Sequence, residues 1–154
     1  MNLRIVLLGK TRENYLKLGQ DEYLKRLKPM LKLEWVELPD VSIVTAGNPE
    51  NVKAREAQTI LKHLRPDDFV ILLDELGEQK TSLEFSVFMS KLSEMKSVVF
   101  VVGGVYGTDV TVRERANQFL CLSKMTFTHQ MVRLILLEQI YRALMIQSKR
   151  AYHY

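Results

Sequence analysis

The sequence predicts an α/β fold: a mostly parallel sheet of five to six strands with helices on both faces. Three observations predict it. Short apolar runs rich in Val, Ile and Leu alternate along the chain with stretches whose apolar residues recur at helical spacing. The runs at 3–8, 69–74 and 98–102 are apolar at nearly every position rather than at every second one, as in strands covered on both faces. The length, 154 residues, matches one domain covering residues 1–154.

Element by element, residues 3–8 form a strand that ends at Gly9. Over 13–28, Tyr15, Leu16, Tyr23, Leu24 and Leu27 recur at helical spacing between lysines and arginines, and Pro29 closes the helix. Residues 33–38 read as a strand with Leu33, Trp35 and Glu37 on one face. Residues 39–49 hold Pro39, Asp40, Gly47 and Pro49, lack a period, and read as a loop. A polar helix over 51–64 carries Val52, Ile60, Leu61 and Leu64. The strand at 69–74 leads to a loop over 75–80 around Gly77. A helix over 82–95 follows, capped by Thr81 or Ser82 with Glu84 in its first turn. The strand at 98–102 turns at Gly103-Gly104-Val105-Tyr106-Gly107. Asp109 caps a short helix reaching 118, then come a strand at 119–122, a loop at 123–128 and a last helix over 129–147.

Composition excludes several function classes. No apolar run reaches the ~18 residues of a membrane span. The opening segment has neither the long apolar region nor the small-residue site of a secretory signal. A single cysteine, Cys121, permits no internal disulfide and suits a reducing cytoplasm. Three dispersed histidines and one cysteine provide no zinc cage, so no metal is expected. The formal charge of +4 favours an anionic partner only weakly.

Ligands of parallel α/β sheets bind beyond the carboxyl ends of the strands. The loops after Leu73, Val102 and Leu122 therefore form one candidate site. Gly103-Gly104-x-x-Gly107 is neither a dinucleotide fingerprint nor a phosphate loop with a Walker lysine. It serves either close backbone approach to a ligand or a tight turn. Met125 and Phe127, among Ser123, Lys124 and Thr126, mix apolar and polar groups as an adenine or thioether pocket requires. The last helix is apolar around its whole circumference, with Arg133, Glu138, Gln139 and Arg142 scattered through it. A helix apolar all round is buried all round, so it should lie between the sheet and a second subunit. Glu138 and Arg142 stand at i and i+4, where an ion pair forms. His129 suits a cap or packing role as well as a catalytic one. The tail Tyr152-His153-Tyr154 either holds a base and phosphate or is a frayed end.

Three stretches carry a family resemblance. They are Val101-Val102-Gly103-Gly104-Val105-Tyr106-Gly107, the run Leu122-Ser123-Lys124-Met125-Thr126-Phe127-Thr128-His129-Gln130-Met131-Val132-Arg133, and Glu138-Gln139-Ile140-Tyr141-Arg142-Ala143 with the terminal Tyr152-His153. Together with the length and the opening Gly9-Lys10, they resemble the bacterial large-subunit rRNA methyltransferase H family. The resemblance implies a SPOUT-type α/β knot, with a C-terminal trefoil knot, and a homodimer. It implies S-adenosylmethionine as methyl donor, held by Leu73, Gly103, Gly104, Leu122, Ser123, Lys124, Met125, Thr126 and Phe127. The implied substrate is N3 of a pseudouridine in the helix 69 loop of 23S rRNA, within the assembled 70S ribosome. His129 and Arg142 would lie at the cofactor–substrate junction. Tyr152 and His153 would hold the base in the partner subunit's site. Lys124, Arg133, Arg142, Lys149 and Arg150 would together gather charge along one RNA groove.

Two departures stand out. Many relatives have proline where this chain has Thr128. Before Tyr152 this chain reads Ser148-Lys149-Arg150-Ala151, where relatives often have glycine or asparagine and then proline. The rival readings are a catalytically silent ribosome- or RNA-binding homodimer of the same fold, and a flavodoxin-like nucleotide enzyme.

Overall fold

The computed structural model describes all 154 residues. The elements are β1 (Asn2–Leu8), α1 (Asn14–Leu27), β2 (Lys32–Leu38), α2 (Ile43–Ala46), α3 (Pro49–His63), β3 (Phe69–Gln79), α4 (Ser82–Leu92), β4 (Val98–Val102), α5 (Val110–Arg115), β5 (Gln118–Cys121) and α6 (His129–Gln147). The five strands form one parallel sheet in the order β2-β1-β4-β3-β5.

The alternation of side chains along a strand divides the core in two. Val98, Phe100 and Val102 of the central strand join Leu3, Ile5, Leu7 and Ile71 beneath α1, α4 and α6. Val99 and Val101 join Val6, Val70 and Leu72 on the opposite face, against Ala57 and Ile60 of α3 and Val112 of α5. All five β4 residues are buried, which is why that strand reads as an unbroken apolar run.

Side-chain caps fix where the helices begin. Thr81 and Glu84 form a reciprocal capping box at α4. Asn48 accepts from the Asn51 N–H at α3, where Pro49 occupies the first turn. Asp109 caps α5 and Thr128 caps α6. At the amino ends of the strands, Arg4 pairs with the fully buried Asp68 carboxylate, which also accepts from Ser97 and the Arg65 N–H. Burial alone would raise that carboxyl, but these three donors hold it below the ordinary aspartate value.

Three expectations need correction. The residues read as a loop over 75–80 continue β3. After a bulge following Leu73, Glu78 and Gln79 pair with Leu120 and Cys121. Gly77, a loop signal in sequence, is glycine because a Cβ there would lie 2.7 Å from the Leu120 backbone. The 39–49 loop contains the single-turn α2, started by the Ser42 side chain accepting from Val44 N–H. Finally, α5 ends at Arg115 and α4 at Leu92, because Gln118 already belongs to β5 and residues 93–97 turn toward β4.

Candidate functional site

The carboxyl ends of the strands surround one cleft of about 1230 Å³. The loops after β3, β4 and β5 make most of its wall. Leu73 enters from β3, and Gly103 and Gly104 from the β4 turn. Leu122, Ser123, Met125, Thr126 and Phe127 enter from the loop after β5, with His129 where α6 begins. The three loops grouped from sequence thus converge. Lys124 is the exception: it is exposed and does not line the cleft. The loop after β5 is held to the bulge of β3, with Thr126 Oγ1 3.4 Å from Glu75 Oε1.

Gly104 has a specific reason to lack a side chain. A Cβ there would lie 2.6 Å from Oε1 of Glu56, a residue only 4% exposed. Glu56 Oε2 accepts from the Val41 N–H at 3.4 Å, while Oε1 is buried without a partner. Burial pushes this carboxyl above the ordinary glutamate value, and the neighbouring Asp40 adds to the effect against the Val41 hydrogen bond.

His129 is half-buried at the cleft mouth. Burial lowers its pKa first, then the positive charges of Arg133 and Arg12, with Asp40 opposing. Its imidazole is therefore neutral at neutral pH. The next residue, Gln130, locks the β1–α1 loop to α6: its Nε2 donates to the Lys10 carbonyl and its Oε1 accepts from the Arg12 N–H.

Arg133 differs from its expected place on an RNA groove. It is 0% exposed. Nη2 donates to the Leu8 carbonyl at 2.6 Å, and Nη1 to the Gly9 carbonyl at 2.9 Å and Thr11 Oγ1 at 3.2 Å. Its charge acts from beneath the cleft and cannot reach a phosphate.

Six charged residues of the cleft, Arg12, Glu13, Asp40, Asp74, Glu75 and Arg113, were missed in sequence, and four of them form ion pairs. Arg12 pairs with Asp40 at the mouth, and Asp74 of β3 pairs with Arg113 of α5 in the wall. They join elements distant in the chain, so no local spacing announces them.

Arg142, Tyr152 and His153 form a second cluster. Arg142 Nη2 lies 2.5 Å and Nε 3.0 Å from Glu138 Oε1. Its guanidinium stands 4.8 Å over the Tyr152 ring, and Nη1 is 3.3 Å from His153 Nδ1. The Tyr152 hydroxyl meets Tyr23 and Glu138, and its ring packs edge-on against Tyr141. Burial, the Tyr23 hydrogen bond and the Glu138 charge all raise the Tyr152 phenol, which stays protonated. The tail is therefore docked rather than frayed, although Tyr154 is fully exposed. Thirteen residues of helix separate His129 from Arg142, about 20 Å along the axis, so the two do not meet within one chain.

One side of α6 packs on the sheet, with α1 and α4 on its flanks. The remaining stripe, Met131, Ile135, Glu138, Arg142 and Ile146, is only half-buried: the tail docks on Glu138 and Arg142, and Ile135 lies beside Ser82 and Phe85 of α4. Leu18 of α1 and Leu83 and Val87 of α4 are exposed beside it. No helix is long and apolar enough to cross a membrane, and no cluster of His, Cys, Asp and Glu could hold a metal ion.

A family model described as "Predicted SPOUT methyltransferase" matches residues 1–153. Curated relatives named "Ribosomal RNA large subunit methyltransferase H" align along the full length. That of Trichlorobacter lovleyi is 45% identical over 100% of both chains. That of Dictyoglomus thermophilum is 42% identical over 100% of both. That of Parabacteroides distasonis is 40% identical over 100% of this chain and 99% of its own.

Proposed function

Because the chain belongs to the SPOUT methyltransferase family, we propose that it methylates large-subunit ribosomal RNA with S-adenosylmethionine as donor. The target atom in this reading is N3 of a pseudouridine in the helix 69 loop of 23S rRNA, presented by the assembled 70S ribosome. The protein acts in the cytoplasm as a single domain, residues 1–154, and as a homodimer. The supporting observation is the cleft itself. Three loops from β3, β4 and β5 converge there, Gly103 and Gly104 let the β4 turn pack tightly against Thr108 and Glu56, and Leu73, Leu122 and Phe127 give the cleft an apolar wall. That combination fits an adenosine carrying a thioether. A C-terminal trefoil knot belongs to the same reading. Its support is the path of the chain from edge strand β5, through a loop pinned to β3, to a helix lying centrally between α1 and α4.

S-adenosylmethionine supplies a methyl group already activated by its sulfonium. The residues of the chain supply position. Gly103 and Gly104 with the 122–127 loop hold the donor. Neutral His129 presents an imidazole nitrogen at the mouth, able to accept a hydrogen bond from, or the proton of, the imide N3. Arg142, Tyr152 and His153 are preassembled on the Glu138 carboxylate, with Arg142 about 15 Å of helix beyond Val132, the last cleft residue of α6. They hold the base in the partner subunit's site, and the half-buried stripe of α6 is where that partner packs.

The test is transfer of labelled methyl from S-adenosylmethionine to intact 70S ribosomes, free large subunits, and ribosomes lacking the helix 69 pseudouridines. Labelling confined to intact ribosomes is expected. Labelling of the pseudouridine-free ribosomes would overturn the target atom. Cofactor binding without labelling of any substrate would leave the silent ribosome-binding dimer as the better account.

A further inference from the structure

Six carboxylate and guanidinium side chains line the cleft, and four of them, Arg12, Glu13, Asp40 and Glu75, stand exposed at its mouth. Asp74 and Arg113 are different. Their side chains are 14% and 37% exposed, and the wall holds them partly out of water. Asp74 is fixed from both sides: Oδ1 accepts from the Leu76 N–H and Oδ2 from Arg113 Nη1. Arg113 is fixed in turn, its guanidinium 5.1 Å over the Phe119 ring. Its Nε and Nη2 donate to no protein atom, and neither is buried. The wall therefore presents an oriented guanidinium with spare donors next to a carboxylate, while the other charged groups of the cleft stand exposed at its mouth. A guanidinium held in that way is suited to a planar carboxylate, and an Arg–Asp pair is complementary in charge to an amino-acid zwitterion.

We propose that Arg113, braced by Asp74 and Phe119, is the specificity residue that binds the α-carboxylate of the donor's amino-acid end. This rests on the cofactor reading above and deepens it. The α-carboxylate is the one anionic group of S-adenosylmethionine, and its ammonium would then fall beside Asp74. Bracing matters because a guanidinium already ordered loses little rotamer freedom on binding.

The test uses two ligands that share adenosine and thioether: S-adenosylhomocysteine, which has the amino-acid end, and 5′-methylthioadenosine, which lacks it. Both are titrated calorimetrically into the full-length wild-type protein, Arg113→Gln and Arg113→Lys. The wild type should prefer S-adenosylhomocysteine by about tenfold or more, as a charge-assisted hydrogen bond provides. Arg113→Gln should lose that preference while its affinity for 5′-methylthioadenosine stays within about twofold, which also shows that the pocket still folds. Arg113→Lys should fall between, keeping the charge without the fork. Equal weakening of both ligands would overturn the proposal, making Arg113 a support of the whole pocket. So would unchanged binding of both with weakened ribosome binding, which would make its ligand an RNA phosphate. A wild-type protein that binds neither ligand would overturn the cofactor reading and this inference together.

Discussion

Two residues show how local chemistry sets stability around the site. Lys149 ends α6 with φ +55°, the left-handed conformation. Its N–H donates to the Ile146 carbonyl and the Arg150 N–H to the Met145 carbonyl, the paired bonds of a Schellman turn. Glycine or asparagine suits that position, and this chain places a lysine there. Lys149→Gly should therefore raise stability by about 0.5–1 kcal/mol, read from urea unfolding, since the strain of a Cβ at positive φ is relieved. An unchanged or lower midpoint would refute the assignment of strain to that Cβ. Thr128, where many relatives have proline, is explained more directly: its hydroxyl accepts from the Met131 N–H and so caps the helix that carries His129. Glu56 poses a pH question. Its carboxyl is raised in the folded protein, so the native state binds that proton more tightly than the unfolded chain. Stability from this residue is then full below the ordinary glutamate value and falls as pH rises through the raised one. Glu56→Gln cannot titrate. Relative to wild type it should gain about 1 kcal/mol above that window, the scale of an unsatisfied buried acceptor. Thermal melts of the two proteins across about pH 4 to 8 should diverge as pH rises; parallel curves would refute the assignment.

At the scale of elements, the final helix is the part most tightly coupled to the site. Arg133 ties its first turn to the carboxyl end of β1 through two carbonyls and the Thr11 hydroxyl, and Thr11 donates onward to the buried Gln20. Arg133→Ala would strand those acceptors and open a cavity beneath His129. The loss should be about 2–5 kcal/mol in urea unfolding, from the cavity and the unsatisfied acceptors together, and a loss under about 1 kcal/mol would mean that water replaces the guanidinium freely. Much of this architecture was legible in the sequence because its signals are local. The unbroken apolar run of β4, a cap at Thr81 or Ser82 with Glu84 in the first turn, and the Asp109 cap were read from neighbours in the chain, and the structure settles the first cap on Thr81. What was not legible depends on distant partners. Gly77 looks like a loop residue until the Leu120 backbone lies against it. The Asp74–Arg113 pair joins β3 to α5 across 39 residues of chain. Arg133 looks like one more cation on a basic protein until burial removes it from the surface.

The largest-scale prediction concerns the assembly. One chain carries a cleft and, farther along α6, a docked Arg142-Tyr152-His153 cluster whose Arg142 stands about 15 Å of helix beyond the cleft residue Val132. A two-fold dimer through the half-buried face of α6 would be isologous, placing each chain's cluster against the partner's cleft and the partner's cluster against its own. It would also double the modest charge of +4 per chain where the RNA must approach. Ile135→Glu, in the middle of the stripe, should yield monomers in sedimentation while the isolated cleft still binds S-adenosylhomocysteine. The sharper test mixes two inactive proteins. Gly104→Val disrupts the cleft wall, since even a Cβ there meets buried Glu56, but leaves the tail intact. The double variant Tyr152→Ala, His153→Ala keeps the cleft and loses the tail. If tails act across the interface, a mixed dimer contains one complete site, made of the tail variant's cleft and the cleft variant's tail. Random equimolar pairing makes half the dimers mixed, each with one working site of two, so coexpression should restore about a quarter of wild-type methyl transfer. If each tail served its own chain, no mixed dimer would hold a complete site, and the mixture would stay as inactive as its parts.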